Sequence, residues 1–471
     1  MRNVCLSRAP RAAHAGFGLI EVLIGMAIGL IAMVAIMQTM VVAESQRRSV
    51  TSGADSNTGS VIGSYLIERD LRMAGYGLTS VSPSGALQVC GFGTVTFFNS
   101  ARSANPVPTY DGTNPAANAA YVPFTPVSIN PSGIPAGDAG TDTLMVNYGG
   151  SDGNVSDRAT ITNPNGDAAS LTVTSRIQFH KGDLVLVAAP TGGGTCEVAE
   201  ITELPGSGQC SAIAGSTNLI GRAAGNFRSF WANSAAGCQT IASRFNGNPS
   251  TGLGAGTYDG GRVYNLGPPD KIASRVYAVR NQVLTMCDMV THDCTRADRV
   301  SDPAFWKPIA PGVVVMNAQL GKITGYDGNS APVWTWDKVH PTTLAGWISS
   351  AARPDGQLAA LGVAAVRLVL VARTDQFEKD ELSFTTYPVP TNSPPLCPAS
   401  PTALGTVPDV NGDVHWARDS AGTCQTLNLS GLANWKHYRY KVVEAKVPLR
   451  NVTSGRNLIE CPIDTTTGGC S

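Results

Sequence analysis

The chain has 471 residues, 34 of them basic and 34 acidic, and charged side chains make up only 14% of the total. A neutral, charge-poor chain has no general basic footprint, which excludes nucleic acid as a working partner. With 51 glycines and 30 prolines, the chain calls for many turns.

The first sixteen residues carry Arg2, Arg8 and Arg11, no acid, and end in glycine. The stretch Gly16-Phe17-Gly18-Leu19-Ile20-Glu21-Val22-Leu23-Ile24-Gly25 then opens an apolar run. From Val22 to Ala43 there is no charge, and only Gln38 and Thr39 are polar. About 20 apolar helical residues cross a bilayer core, so the run is long enough to span one. A carboxylate costs about 2.5–3.5 kcal/mol at mid-membrane, so Glu21 reads as functional.

Three readings compete for this end. A secretory signal has an apolar region of about 7–15 residues before a small-residue cleavage site. Val41-Val42-Ala43 passes as such a site, but the run is longer and Glu21 interrupts its entrance. A plain membrane anchor explains the length and the basic flank, but not the acid beside a Gly-Phe junction. The third reading is cleavage after Gly16, with Phe17 as the new N-terminus. The stretch Gly16–Glu21 resembles the type IV prepilin motif, with Gly18 where that family more often has Ser or Thr, and this reading is preferred.

Cleavage would leave an α-amine on Phe17, titrating near 7.7–8. A carboxylate one helical turn away, on the same or a neighbouring chain, neutralises it. The resemblance implies that Glu21 pairs with the N-terminus of an adjoining subunit during filament assembly. It also implies that a prepilin peptidase cuts the leader and N-methylates Phe17. A carboxylate merely snorkelling toward the interface is the plainer alternative. Gly25 and Gly29 form a small-xxx-small pair suited to close helix packing, although glycine is common in membrane helices generally. The leader arginines favour a cytoplasmic N-terminus, with Arg47 and Arg48 opposing in part.

The spacing of Val50, Ala54, Val61, Ile62, Tyr65, Leu66, Arg69 and Met73 predicts a helical continuation from Glu44. A kink or melted turn is expected near Gly53, Gly59 and Gly63, and a stop at Gly75 and Gly77. Beyond Ser80 the texture turns to Gly, Pro, Thr, Ser and Asn with short β-branched runs. Strands are predicted at Thr143–Asn147, Leu171–Phe179, Leu184–Ala188, Val198–Ile201, Arg275–Val279, Val283–Met286, Gly312–Ala318, Val363–Ala372 and His437–Val447. Ser100–Asp138 and Pro388–Asp413 read as irregular insertions, and the Tyr-Asp-Gly triplets at Tyr110, Tyr258 and Tyr326 as turns. The expected organisation is a leader (1–16), a transmembrane and assembly helix (17–43), its amphipathic continuation (44–79) and a β-rich periplasmic head (80–471). The fold class is α+β and pilin-like: a long helix packed on an antiparallel sheet, with an enlarged, loop-rich, disulfide-bonded head.

Eleven cysteines are an awkward odd number for an exported chain, but Cys5 lies in the leader. The remaining ten allow up to five disulfides. Short separations favour Cys196–Cys210, Cys287–Cys294, Cys397–Cys424 and Cys461–Cys470, leaving Cys90 with Cys238. No C-x-x-C appears and the six histidines are scattered, so metal ligation is disfavoured.

Catalytic signatures are weak: there is no phosphate loop or His-Glu-x-x-His. Gly192-Gly193-Gly194 reads as a loop before Cys196. Asp409-Val410-Asn411-Gly412-Asp413 has part of a calcium loop, but Val414 and Ser420 stand where glycine and glutamate are needed. A solvated turn is preferred. Trp334 and Trp336 alternate as one strand face would, and are expected in the core rather than on a binding rim. No cofactor and no enzymatic activity are expected.

Several segments narrow the resemblance. Ile67 to Tyr76, Lys181 to Val187, Ser274-Arg275-Val276-Tyr277, and Tyr438 to Asn451 with its Pro448-Leu449-Arg450-Asn451 ending resemble the PilW family of minor pilins. That resemblance implies a subunit that helps prime type IV pilus assembly in a tip complex and supports adhesion and twitching motility. The implied partners are other minor pilins, the major pilin, a prepilin peptidase and a large tip adhesin. The protein would sit in the inner membrane as a single-pass chain before entering the pilus. A type II secretion minor pseudopilin and a membrane-tethered periplasmic binding domain are the competing classes.

Overall fold

The computed structural model describes residues 18–77, 95–97 and, with interruptions, 125–383 and 408–454. The chain divides into two units, Met1–Ala54 and Asp55–Ser471. In the first, the described residues are helical from Leu19 onward. Leu19–Glu44 is 26 residues long and apolar enough to cross a membrane, and its side chains are exposed throughout. A helix satisfies its own backbone polar groups, the condition for standing in lipid.

The helix, assigned over Leu19–Met73, enters the second unit with a buried face different from the apolar spacing. Val61, Ile62 and Tyr65 are exposed, Tyr65 by 63%, whereas Ser60, Ser64, Ile67, Asp70, Leu71 and Ala74 are buried. No melted turn appears at Gly53, Gly59 or Gly63, since the helix runs through all three. Close approach explains Gly63: a Cβ there would lie 2.8 Å from Leu284 Cδ2 and 3.4 Å from Ala310 Cβ. Small residues let this helix settle onto the sheet. The helix stops as expected, with Gly75 (φ +79°) and Gly77 (φ +75°) in the left-handed region that favours glycine.

Two antiparallel sheets enclose the main core with this helix. The helix-facing sheet runs, in spatial order, Lys307–Pro311, Val283–Asp288, Ala273–Arg280, Leu144–Tyr148 and Val127–Ile129. In the central sheet Pro332–Asp337 pairs with Val313–Tyr326, which pairs with Leu358–Arg373. The last strand also takes Ser349–Ala352 at one end and Tyr440–Pro448 along the rest. Ile67, Leu71 and Ala74 of the helix meet Leu144, Val146, Tyr277 and Leu284 of one sheet and Met316, Leu320, Val366, Leu368 and Leu370 of the other. A third sheet joins Val95–Phe97, Cys196–Glu200, Leu184–Ala188, Arg262–Gly267 and Arg158–Thr160, with only the first pairing parallel.

Most predicted strands appear, several of them longer. Gly312–Ala318 becomes Val313–Tyr326, and Val363–Ala372 becomes Leu358–Arg373. Leu171–Phe179 shrinks to Ser170–Thr172 plus a bridge at Val173, and His437 belongs to a short 3₁₀ turn before Tyr440–Pro448. The stretch read as irregular to Asp138 contains the strand Val127–Ile129; residues 100–124 lie outside the described residues, as do Tyr110, Tyr258, 192–194 and most of 388–413. Asp413, the last residue of the second predicted insertion and of the partial calcium loop, opens a strand, and its carboxylate accepts from Asn428 Nδ2 at 2.7 Å. At Tyr326 the turn is real: Asp327 Oδ1 accepts from the Asn329 and Ala331 amides at 2.9 and 2.8 Å.

Cys287–Cys294 forms the expected disulfide, and Cys196 is disulfide-bonded. Cys90, Cys210, Cys397, Cys461 and Cys470, and the side chains of Cys238 and Cys424, lie outside the described residues. The core placement of Trp334 and Trp336 is overturned. Both are half-buried, stacked on each other at 5.6 Å, and line an open groove. Their strand lies at the edge of the central sheet, and the main core fills the opposite face.

Candidate functional site

Gly16 and Phe17 lie outside the described residues, and the first described groups of the motif are Gly18 and Glu21. Gly18 starts the helix, its carbonyl accepting from the Glu21 and Val22 amides at 3.0 and 3.3 Å. Its own N–H donates to Glu21 Oε2 at 3.2 Å. A glutamate in the first turn reaching back to an orphan amide is half of a capping box, and it also suits the helix dipole. One such bond uses a fraction of the acceptor capacity of a carboxylate. Gly25 and Gly29 have nothing within 4 Å of where a Cβ would stand, so the small-residue face is open.

The second constellation lies at the other end of the helix, within the head. Asp70 is fully buried at 0% exposure. Arg275 Nη1 donates to both its oxygens at 2.9 Å, Tyr277 Oη to Oδ2 at 2.6 Å, and Tyr148 Oη to Oδ1 at 3.1 Å. Arg69 adds a partly exposed contact at 3.2 Å. Burial, and then the Asp70 charge, push the Tyr277 phenol well above its ordinary range and that of Tyr148 to about 12. Both therefore stay neutral donors. Burial works against the Arg275 charge, but Asp70 outweighs it and raises its pKa. A buried carboxylate matched by this many donors locks the helix to the Ala273–Arg280 and Leu144–Tyr148 strands.

The helix end is closed by the C-terminal segment. Asn451 Nδ2 donates to the Arg72 and Met73 carbonyls at 3.2 and 3.1 Å, and the Gly75 amide donates to Asn147 O at 2.9 Å. Leu449 and Val452 pack into the same core as Leu71 and Ala74. Three segments of the sequence resemblance, Ile67 to Tyr76, Ser274 to Tyr277 and Tyr438 to Asn451, therefore meet at one helix end. The fourth lies in the third sheet, where buried Asp183 accepts from Trp231 Nε1 at 2.7 Å and Asn265 Nδ2 at 2.9 Å. Sequence reasoning assigned no role to Asp70, Tyr148, Arg275, Tyr277 or Asn451. The available signal was an acid three residues after Ile67 on a face shared with Leu71 and Ala74.

Among the described residues, no three of His, Cys, Asp and Glu gather in a way that could hold a metal ion. The prokaryotic N-terminal methylation motif matches residues 11–37, which include Gly16, Phe17, Glu21, Gly25 and Gly29. No curated protein and no solved structure matches the chain. The motif supports a type IV pilin-like protein, of pilin or pseudopilin kind. It implies processing by a prepilin peptidase and assembly with other pilins.

Proposed function

We propose that this protein is a minor pilin of the PilW type, a non-enzymatic subunit that primes type IV pilus assembly and forms part of the tip complex. It is cut after Gly16, N-methylated on Phe17 and held in the inner membrane by its apolar helix, with the head in the periplasm. It then enters the filament, where Glu21 pairs with the amine of an adjoining subunit, and it supports adhesion and twitching motility. Its partners are other minor pilins, the major pilin and a large tip adhesin.

The observation that carries this reading is the methylation motif on an exposed apolar helix whose first turn holds Glu21. The meeting of three PilW-like segments around Asp70 and Asn451 favours the narrower family. Intact-mass analysis of the full chain, with and without prepilin peptidase in the cell, tests it. The expected result is loss of residues 1–16 and gain of one methyl group only when the peptidase is present. A leader retained in both strains overturns the reading in favour of a tethered periplasmic domain. Pilus counts and exoprotein secretion in a deletion strain divide a pilin from a type II secretion pseudopilin.

A further inference from the structure

The outer face of the central sheet, turned away from the main core, is only partly covered by the described residues. Toward one end, Val414, Trp416, Leu427 and Leu429 of the Asp413–Arg418 and Cys424–Asn428 hairpin pack on Val369 and Val371. Toward the other, strand register lays Trp336, Gly321, Ala365 and Pro448 in one row across four strands, with Gln319, Arg367 and Lys446 in the next. Trp334, Trp336, Ala365, Arg367, Lys446 and Pro448 line an open groove of about 410 Å³ there.

The aromatic wall of this groove is built in advance. A Cβ on Gly321 would lie 2.7 Å from the Trp336 benzo ring, so the indole rests on a strand that only glycine allows it to approach. One neighbour of the ring is Trp334, at 5.6 Å and 16° between planes, and another is the Arg367 guanidinium, 4.1 Å from the ring centroid. Rigid indoles at a surface lose little entropy on binding and serve as anchors for a partner. Pro448 and Lys446 form the facing rim, and both are exposed.

We propose that this groove docks an acidic peptide segment of another protein that carries a proline or aromatic side chain between Trp334 and Pro448. Charge selects the acid: exposed Lys446 lines the groove beside Arg367, which is buried and paired with Glu444 at 3.8 Å, so among the described residues lining it or paired there two cations stand against one carboxylate. The indoles, Ala365 and Pro448 give the groove an apolar floor, which favours a peptide over a glycan, because most sugar hydroxyls would be desolvated there without partners. Sidedness follows from the chemistry: the ring fills the indole-to-proline gap while a neighbouring carboxylate reaches Lys446. The inference stands apart from the N-terminal reading and does not depend on leader cleavage.

The test is fluorescence anisotropy with the full chain in detergent micelles. The probes are a labelled peptide alternating glutamate, proline and phenylalanine, its lysine-for-glutamate counterpart, and a labelled uronic-acid oligosaccharide. The acidic peptide is expected to bind about tenfold more tightly than the basic one, and more weakly as salt rises. Trp334→Ala should weaken it about tenfold or more. Lys446→Glu, at an exposed position that leaves the core untouched, should weaken it several-fold while thermal unfolding stays unchanged. Equal binding of both peptides, acidic-peptide binding indifferent to both substitutions, or oligosaccharide binding lost with the same substitutions overturns the proposal.

Discussion

Glu21 and Asp70 are acids of one helix with opposite surroundings. Glu21 is exposed in the first turn and accepts from the Gly18 amide of its own segment. Asp70 is buried and accepts from side chains 78, 205 and 207 residues further along the chain. Where the tertiary structure supplies donors to every lone-pair direction, a carboxylate becomes a structural tie. Where it supplies one local amide, the carboxylate keeps capacity for a donor from outside. The two acids thus divide the helix between holding the head together and the assembly role proposed for its N-terminus.

The largest expected effect comes from breaking the buried side of that contrast. Asp70→Ala strands Arg275 and two phenols, and should cost about 3–5 kcal/mol, read by chemical unfolding of the full chain in detergent. An unfolding midpoint like the parent's would mean that Asp70 is no tie. Gly63→Ala comes next and separates two physical effects. Helix propensity alone predicts a gain of about 1 kcal/mol, whereas crowding against Leu284 predicts a loss of about 1–3 kcal/mol.

Acidification should have a smaller effect, through His340. Its Nε2 accepts from the Ile129 amide at 2.8 Å, closing the edge of the helix-facing sheet. Burial holds its pKa below the usual 6.5 and Lys322 lowers it further, while the Ile129 carbonyl, 3.0 Å from Nε2 and able to accept from the protonated ring, and Asp337 oppose. The folded state therefore prefers the neutral ring, so this stability is fully present above about pH 6.5 and is lost as pH falls below that value. Unfolding measured from pH 7.5 to 5 should show this slope, and His340→Gln should flatten it. The smallest stability change belongs to Glu21→Ala, within about 0.5 kcal/mol of the parent. That variant should nevertheless be cleaved normally and be missing from sheared filaments on immunoblot. Normal incorporation would remove the functional half of the contrast.

Much of this was readable because it rests on local chemistry. The basic leader, Gly16-Phe17 and Glu21 need only neighbours in sequence, and so does the stop at Gly75 and Gly77. Leu184–Ala188 is a continuous apolar run, legible as a strand because every residue is buried. In Pro332–Asp337 the alternation of Trp334 and Trp336 on one strand face was legible, but not that the strand lies at a sheet edge, where both indoles stay half-buried instead of entering the core. The buried helix face was misread because Ser60, Gly63 and Ser64 are chosen for small size, which a search for apolar residues passes over.

By itself the sequence determined the pilin-like character of the N-terminus, an apolar helix long enough to cross a membrane, the end of that helix and the β-rich texture of the head. Those follow from charge, hydropathy and backbone preference acting within a few residues. Only the tertiary structure decided that Asp70 meets Arg275 and Tyr277, that Asn451 closes the helix, and that the tryptophans wall a groove. Each of these depends on strand register and close approach between segments far apart in the chain, which no local pattern encodes.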